Sequence, residues 1–218
     1  TPDFGQVEAD PAVVNLTDAE TLLPERRPFF TEGSALINGP VNNYFYSRRI
    51  GARPSGSAEG DYVDRPSTST ILGAAKLTGR LPSRTLIGVL LAVTGEERAR
   101  TFDVTSNLFD EVSVAPLTTY GVARVQQEFG PDGLSVGAMV TAVRRNLTSG
   151  DPMADVLARD AVTANANTFL RLGGGTHEVS FSGGFTRVAG TAAAITRLQH
   201  NSSRYFQRPD ATHVGVDP

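Results

Sequence analysis

Cysteine is absent from the chain, and so is tryptophan. Without cysteine, disulfides and thiolate metal sites are excluded. Lysine is nearly absent too: Lys76 is the only one, and the other basic residues are arginine, a bias that base composition explains as readily as function. Hydrophobic residues make up only 39% of the 218 residues, little for a globular chain with a thick core. No stretch approaches the ~20 apolar residues of a transmembrane helix; the longest apolar run, near Leu86 to Val93, is far shorter. Positive charge is not in excess. A formal net charge of −3 argues against a nucleic-acid partner, because neutralising phosphates takes clustered Lys and Arg. A signal peptide is missing, since the chain opens on Thr1-Pro2-Asp3-Phe4 with neither a charged start nor an apolar segment. An exported protein is expected to have lost it, so the sequence reads as a mature piece or a fragment.

What the chain does contain is period-two alternation, the mark of strands with two unlike faces. From His177 to Arg187, Val179, Phe181, Gly183 and Phe185 oppose Glu178, Ser180, Ser182, Gly184 and Thr186. From Leu134 to Ala142, Leu134, Val136, Ala138, Val140 and Ala142 oppose Ser135, Gly137, Met139 and Thr141. From Ala161 to Leu172, Val162, Ala164, Ala166, Leu170 and Leu172 oppose Thr163, Asn165, Asn167 and Arg171, with Phe169 as the exception. Ile87, Val89, Leu91 and Val93 share one face of Thr85–Thr94, opposite a mixed set. From Thr70 to Leu81, Ile71, Gly73, Ala75, Leu77 and Gly79 share a face. Leu117–Phe129 alternates less cleanly. A further strand is predicted at Tyr44–Ile50, for about seven strands.

The connections alternate in length. Leu81–Arg84, Gly130–Gly133 and Gly173–Thr176 are short and rich in turn residues. Gly51–Ser67, Gly95–Pro116, Leu147–Asp160 and the stretch after Ala189 are long and polar, the last with a short helix predicted at Thr191–Gln199. Long loops all at one end and short turns at the other are the pattern of a transmembrane barrel, whose strands need only about 9–11 residues with one apolar face. Such a sheet has to close, because lipid offers no partners for backbone groups. A soluble sandwich or barrel also alternates, but has no reason to keep its long loops at one end.

The first forty residues differ. Phe4–Glu8 and Val13–Leu16 are short strand candidates, and Thr17–Leu23 is a helical turn with Glu20 at the capping-box position. The charged, aromatic block Pro24–Gly33 lacks strand alternation. Parity puts it on the periplasmic side of Tyr44–Ile50 or inside the lumen.

Several blocks carry a family resemblance. They are Pro2-Asp3-Phe4-Gly5-Gln6-Val7-Glu8-Ala9-Asp10-Pro11, Pro24-Glu25-Arg26-Arg27-Pro28-Phe29-Phe30, Phe45-Tyr46-Ser47-Arg48-Arg49-Ile50-Gly51, Ile71-Leu72-Gly73-Ala74-Ala75-Lys76-Leu77-Thr78-Gly79 and Arg204-Tyr205-Phe206-Gln207-Arg208-Pro209. In this order they resemble the C-terminal outer-membrane β-barrel domain of unknown function in bacterial proteins that often carry an N-terminal family 9 carbohydrate-binding module. The resemblance implies a barrel domain and no established reaction. It implies as partners the lipid bilayer, the remainder of a longer barrel chain and that module, and as location the bacterial outer membrane. The module is missing here, so carbohydrate recognition transfers to no residue, and both ends read as cut from a longer protein.

Candidate chemistry is sparse. Asp3, Glu8, Asp10, Glu20, Glu25 and Glu32 form an acidic set. Glu8 and Asp10 fall on one strand face, where they fit a glycosidase pair, a calcium site or a solvated face. His177, His200 and His213 match no zinc-ligand spacing, no G-x-S-x-G elbow occurs, and Gly173-Gly174-Gly175 lacks the Lys of a phosphate loop. Arg26-Arg27, Arg48-Arg49 and Arg144-Arg145 read either as an anion-selecting eyelet or as carboxylate partners that pin the Pro24–Gly33 block to the wall.

The expectation is therefore an all-β, antiparallel up-and-down transmembrane barrel, or a large part of one. Residues 1–43 form a periplasmic or lumenal motif segment, and 44–218 the hairpins with long external loops. Its function is that of a channel, translocation pore or surface anchor. The alternatives are a carbohydrate-active hydrolase using the acidic motif and a soluble β-rich binding module. Lumen or plug contacts are expected from Glu8, Asp10, Glu25, Arg26, Arg27, Glu32, Arg48 and Arg49, and lipid contacts from Val179, Phe181 and Phe185. No catalytic residue, cofactor or metal is expected, with Glu8 and Asp10 the calcium candidates.

Overall fold

The computed structural model describes residues 22–38, 44–130, 133–148, 150–201 and 212. Along these the elements are α1 (Pro28–Thr31), α2 (Ser34–Asn38), a 3-10 turn at Ser47–Arg49, β1 (Tyr62–Asp64), β2 (Ile71–Arg80), β3 (Thr85–Thr94), β4 (Glu97–Asp103), β5 (Leu108–Ala115), β6 (Thr118–Phe129), β7 (Leu134–Arg145), a 3-10 turn at Pro152–Asp155, β8 (Asp160–Leu172), β9 (His177–Ala189) and α3 (Ala192–Gln199). The fold is all-β and antiparallel, with few helices.

Six strands form the main sheet in the order β2-β3-β6-β7-β8-β9, each paired antiparallel with the next. Among the described residues this sheet is open, with β2 and β9 as its edges. The short connections all lie at one end. The β8–β9 turn uses Gly173, Gly174 and Gly175 at φ 61°, 64° and 94°, a left-handed run that residues with a Cβ resist.

The opposite end carries everything longer. The β3–β6 connection, expected to be a polar loop, contains the β4–β5 hairpin, which adds β1 to make a second sheet in the order β1-β4-β5. The Pro152–Asp155 turn sits between β7 and β8. The helix expected at Thr191–Gln199 is α3, capped by Thr191, whose Oγ1 accepts from Ala194 N at 3.2 Å and donates to Ala154 O at 2.9 Å. Gly56 N donates to Val114 O at 2.8 Å, so these loops pack on one another.

Register sorts the side chains of the main sheet into two faces. One face carries Val89 and Leu91, then Ala123 and Val125, Ala138 and Val140, Ala164 and Ala166, and Phe185 and Gly183 on successive strands. The other carries Leu90, Val122, Thr141, Thr163 and Thr186 on one rung, and Arg124, Met139, Asn165 and Gly184 near the next. The first face is apolar and the second largely polar. The face of β2 differs from expectation at one point. A bulge between Ile71 and Gly73 inserts Leu72 as an extra residue, which reverses the two side chains before it. Ile71 therefore joins the polar face, packed against the core, and Leu72 is exposed.

The core lies on the polar face. Phe30, Ile37 and Ile50 from residues 22–50 pack with Leu90, Ala92, Val122 and Met139 of the sheet. Tyr44–Ile50 is not a strand: it closes in the 3-10 turn Ser47–Arg49, and Ile50 is 0% exposed. The reason is non-local, because the Arg27 guanidinium takes the carbonyls of Ser47 and Ile50 that a strand would offer to a neighbour.

Candidate functional site

Residues 22–38 and 44–50 form a strap over the β2, β3, β6 and β7 part of the polar face, and two sets of contacts hold it. The first is internal. Arg27 meets Glu25 through two parallel bonds, Nε to Oε1 at 2.8 Å and Nη2 to Oε2 at 2.7 Å, the bidentate geometry that makes Arg–carboxylate pairs strong. Ser47 Oγ donates to Glu25 Oε2 at 2.7 Å, and Arg27 Nη1 to Ile50 O at 2.7 Å. The guanidinium stacks 4.2 Å from the centroid of the Phe30 ring. Tyr46 OH accepts from Leu23 N at 3.0 Å and donates to Leu23 O at 3.1 Å, and Arg48 Nη1 donates to Pro24 O at 3.0 Å. Burial pushes the Glu25 carboxyl up, but hydrogen bonds from Arg27 and Ser47 and the Arg27 charge outweigh it and bring the group down to about 2.

The second set ties the strap to the sheet. Lys76, on the polar face of β2, donates to Phe29 O and Glu32 O, and its ammonium lies 5.0 Å from the Phe29 ring centroid. Arg124 of β6 reaches Leu36 O at 3.4 Å and also donates to Gln126 Oε1. Gly88 of β3 leaves room for α2: a Cβ there would stand 2.7 Å from Leu36 O and 3.0 Å from Ile37 Cγ1.

The sequence-predicted residues distribute as follows. Glu25 and Arg27 form the buried clamp inside the strap, which ties two strap segments together and not the strap to the wall. Arg26 is exposed, and its backbone N–H donates to Glu25 at 3.1 Å. Glu32 takes part through its carbonyl. Arg48 braces Pro24. Arg49 lines a cavity at the long-loop end. Glu8, Asp10 and His213 lie outside the described residues. Val179, Phe181 and Phe185 lie on the apolar face at 48%, 68% and 65% exposure, with Glu178, Ser180 and Ser182 on the other face. The contacts that fasten the strap, Lys76, Gly88 and Arg124, were missed. A lone lysine inside an alternating strand and a lone glycine inside an apolar run were the available signals.

Between the strap, the sheet and the long-loop end lies a cavity of about 870 Å³. Arg49, Arg53, Arg145 and Arg197 line it with Tyr46 and Tyr120, and no carboxylate is among its described lining residues. The second sheet presents an exposed aromatic rung: Tyr62, Phe102 and Phe109 pair across β1, β4 and β5, with centroids 6.4 and 4.6 Å apart. Among the described residues no group of three His, Asp or Glu side chains is placed to hold a metal. His177 opens β9, and His200 caps α3.

A family model for a domain of unknown function matches residues 1–205. No curated protein and no solved structure matches the chain.

Proposed function

Since the chain belongs to the DUF5916 family of domains of unknown function, we propose, from the fold, that its main sheet is a section of the wall of a bacterial outer-membrane β-barrel. The strap is then a plug segment on the lumen side, and the molecule works as a plugged channel or translocation pore.

The carrying observation is that the apolar face of the sheet is the bare one. Leu77 is 67% exposed, Leu91 54% and Val140 45%, while the strap covers the polar face of β2, β3, β6 and β7. A water-soluble sheet buries its apolar face and solvates the other. Six strands about 4.8 Å apart and ten residues tall, at about 3.3 Å per residue, give a face on the order of 800 Å². The largest apolar patch of a soluble monomer is about 300–600 Å².

Dimensions agree with the reading. The main strands have 10 to 13 residues, about 33–43 Å along the strand, and a tilt of about 40° brings that to roughly 25–33 Å, close to the apolar band of outer-membrane barrels. Among the described residues β2 and β9 are the edges of the sheet, and lipid does not tolerate edges left unpaired. Further strands, the remainder of a longer barrel chain, would pair with them. Short turns at one end and packed loops at the other correspond to periplasmic and extracellular sides. A linked carbohydrate-binding module remains part of this proposal for the whole protein.

The test uses the absence of cysteine from this segment. Single cysteines at positions 179 to 183, 185 and 186, placed one at a time in the full-length protein in vesicles, carry a spin label; position 184 is left as glycine because a Cβ there would stand 2.7 Å from the Ala164 carbonyl oxygen. Labels at odd positions are expected to be relaxed by lipid-dissolved oxygen, and labels at even positions by a water-soluble nickel complex. A profile without alternation, or oxygen and nickel favouring the opposite positions, would overturn the reading.

A further inference from the structure

We infer that the cavity between the strap and the long-loop end is a binding site for a small, multiply charged oxyanion, a carboxylate or a phosphate. The inference rests on the barrel reading only for the cavity's position in the lumen. Anion binding itself follows from the side chains.

The charge count carries the argument. Three guanidinium groups, on Arg53, Arg145 and Arg197, line one cavity that includes no Asp or Glu among its described residues. They come from three different parts of the chain: the loop after the strap, the end of β7 and α3. A single charged helix face or strand end does not explain such convergence. Arg145 is half-buried, and its side chain bonds a neutral group, donating from Nη1 to the Ala158 carbonyl at 2.7 Å. No ion pair among the described residues involves Arg53, Arg145 or Arg197. Elsewhere the chain does pair its arginines, as in Arg27 with Glu25 and Arg171 with Glu178.

Like charges around one half-open space raise the local concentration of counter-charge, and low-dielectric walls focus the field on what enters. Guanidinium groups present planar pairs of donors that fit carboxylate and phosphate oxygens. The volume of about 870 Å³ falls within the usual ~300–1,000 Å³ of small-molecule sites. The arginine doublets divide accordingly. Arg145 faces the cavity while Arg144 lies on the opposite face of β7, near Asp160 at 3.9 Å.

Isothermal titration of the full-length protein in a zwitterionic detergent tests this with two probes, citrate and pyrophosphate. Saturable binding of either is expected, weakening as sodium chloride is raised, because salt screens the field. The tighter probe distinguishes carboxylate from phosphate as the natural class. The triple variant Arg53→Gln, Arg145→Gln, Arg197→Gln is expected to lose about tenfold or more in affinity, about 1.4 kcal/mol. Arg53 and Arg197 are exposed and outside the strands, so the double variant at those two positions guards against misfolding and is expected to lose about threefold. No saturable binding of either probe, or equal binding by the folded double variant, overturns the inference. The two proposals fail separately: an alternating spin-label profile without anion binding removes only the site, and anion binding with a flat profile removes only the barrel.

Discussion

Gly88 lies directly beneath Leu36, so close that a Cβ on Gly88 would stand 2.7 Å from the Leu36 carbonyl oxygen. The contact is backbone against backbone, and neither side has a flexible end that moves away. Glycine inside a strand usually weakens it, and a close approach of another segment is a common reason to find one there. Here that approach lets α2 rest on β3.

Gly88→Ala is therefore expected to lift α2 from the sheet while leaving the strand intact. Overpacking of this kind costs about 1–3 kcal/mol. The backbone pairs of Gly88 with Thr78 and Arg124 are unaffected, because alanine suits a strand better than glycine does. Hydrogen exchange should show faster exchange for amides 34–38, with β3 and β6 protected as before. Loss of protection in β3 as well would mean that the strap and the sheet unfold as one unit.

Lys76 makes the complementary attachment from β2. Its ammonium donates to the carbonyls of Phe29 and Glu32, and charged hydrogen bonds contribute about 1.5–3 kcal/mol each. Lys76→Met keeps the apolar stem and removes both bonds. Trypsin nicking at the exposed Arg26 measures the outcome, since cleavage follows the open population when opening and closing are fast. A rise of about tenfold or more is expected, corresponding to about 1.4 kcal/mol. An unchanged rate would place the attachment elsewhere.

The Glu25 clamp sets a pH window. Its carboxyl is held down to about 2 in the folded strap, against about 4.3 in an unfolded chain. A depressed carboxylate contributes stability above the unfolded value, and that contribution is lost as pH falls through the folded one. Contact quenching between dyes on cysteines replacing the exposed Leu22 and Ala52, one beside each clamped segment, should therefore report a closed clamp at neutral pH and progressive opening between about pH 4.3 and 2. In Glu25→Gln the same window should be flat, with a looser clamp throughout, because the buried Arg27 then lacks its counter-charge. That loss is about 3 kcal/mol for a broken buried pair.

Much of the sheet was legible because period-two alternation is a local signal. Val179, Phe181 and Phe185 declare their common face within seven residues of sequence, and the register with β8 agrees. The bulge at Leu72 was not legible, because one inserted residue reverses parity without any change in composition. The strand expected at Tyr44–Ile50 failed for a different reason. Arg27, some twenty residues earlier, takes its carbonyls, and no local pattern records that. The β4–β5 hairpin was read as loop because charged residues occupy its exposed face, where Arg100 pairs with Glu111. Of the site, the arginine doublets were visible, but which members face the cavity depends on tertiary structure.

Phe181 and Ser180 are neighbours in β9 with opposite faces, which makes them a matched pair for the membrane reading. Phe181 is 68% exposed on the apolar face, and Ser180 opposes Phe169 on the polar one. In a soluble sheet, Phe181→Lys at so exposed a position would cost almost nothing. In a barrel wall, a lysine on the lipid face costs about 2–4 kcal/mol near the midplane and less toward the interfaces. Ser180→Lys should cost little in either case, since the polar face accepts charge. Urea unfolding of the full-length protein in lipid vesicles is expected to show Phe181→Lys destabilised by about 2 kcal/mol or more and Ser180→Lys close to the parent. The same two variants in a detergent-free aqueous buffer supply the control: if both fold there with the stability of the parent, the apolar face meets water and not lipid.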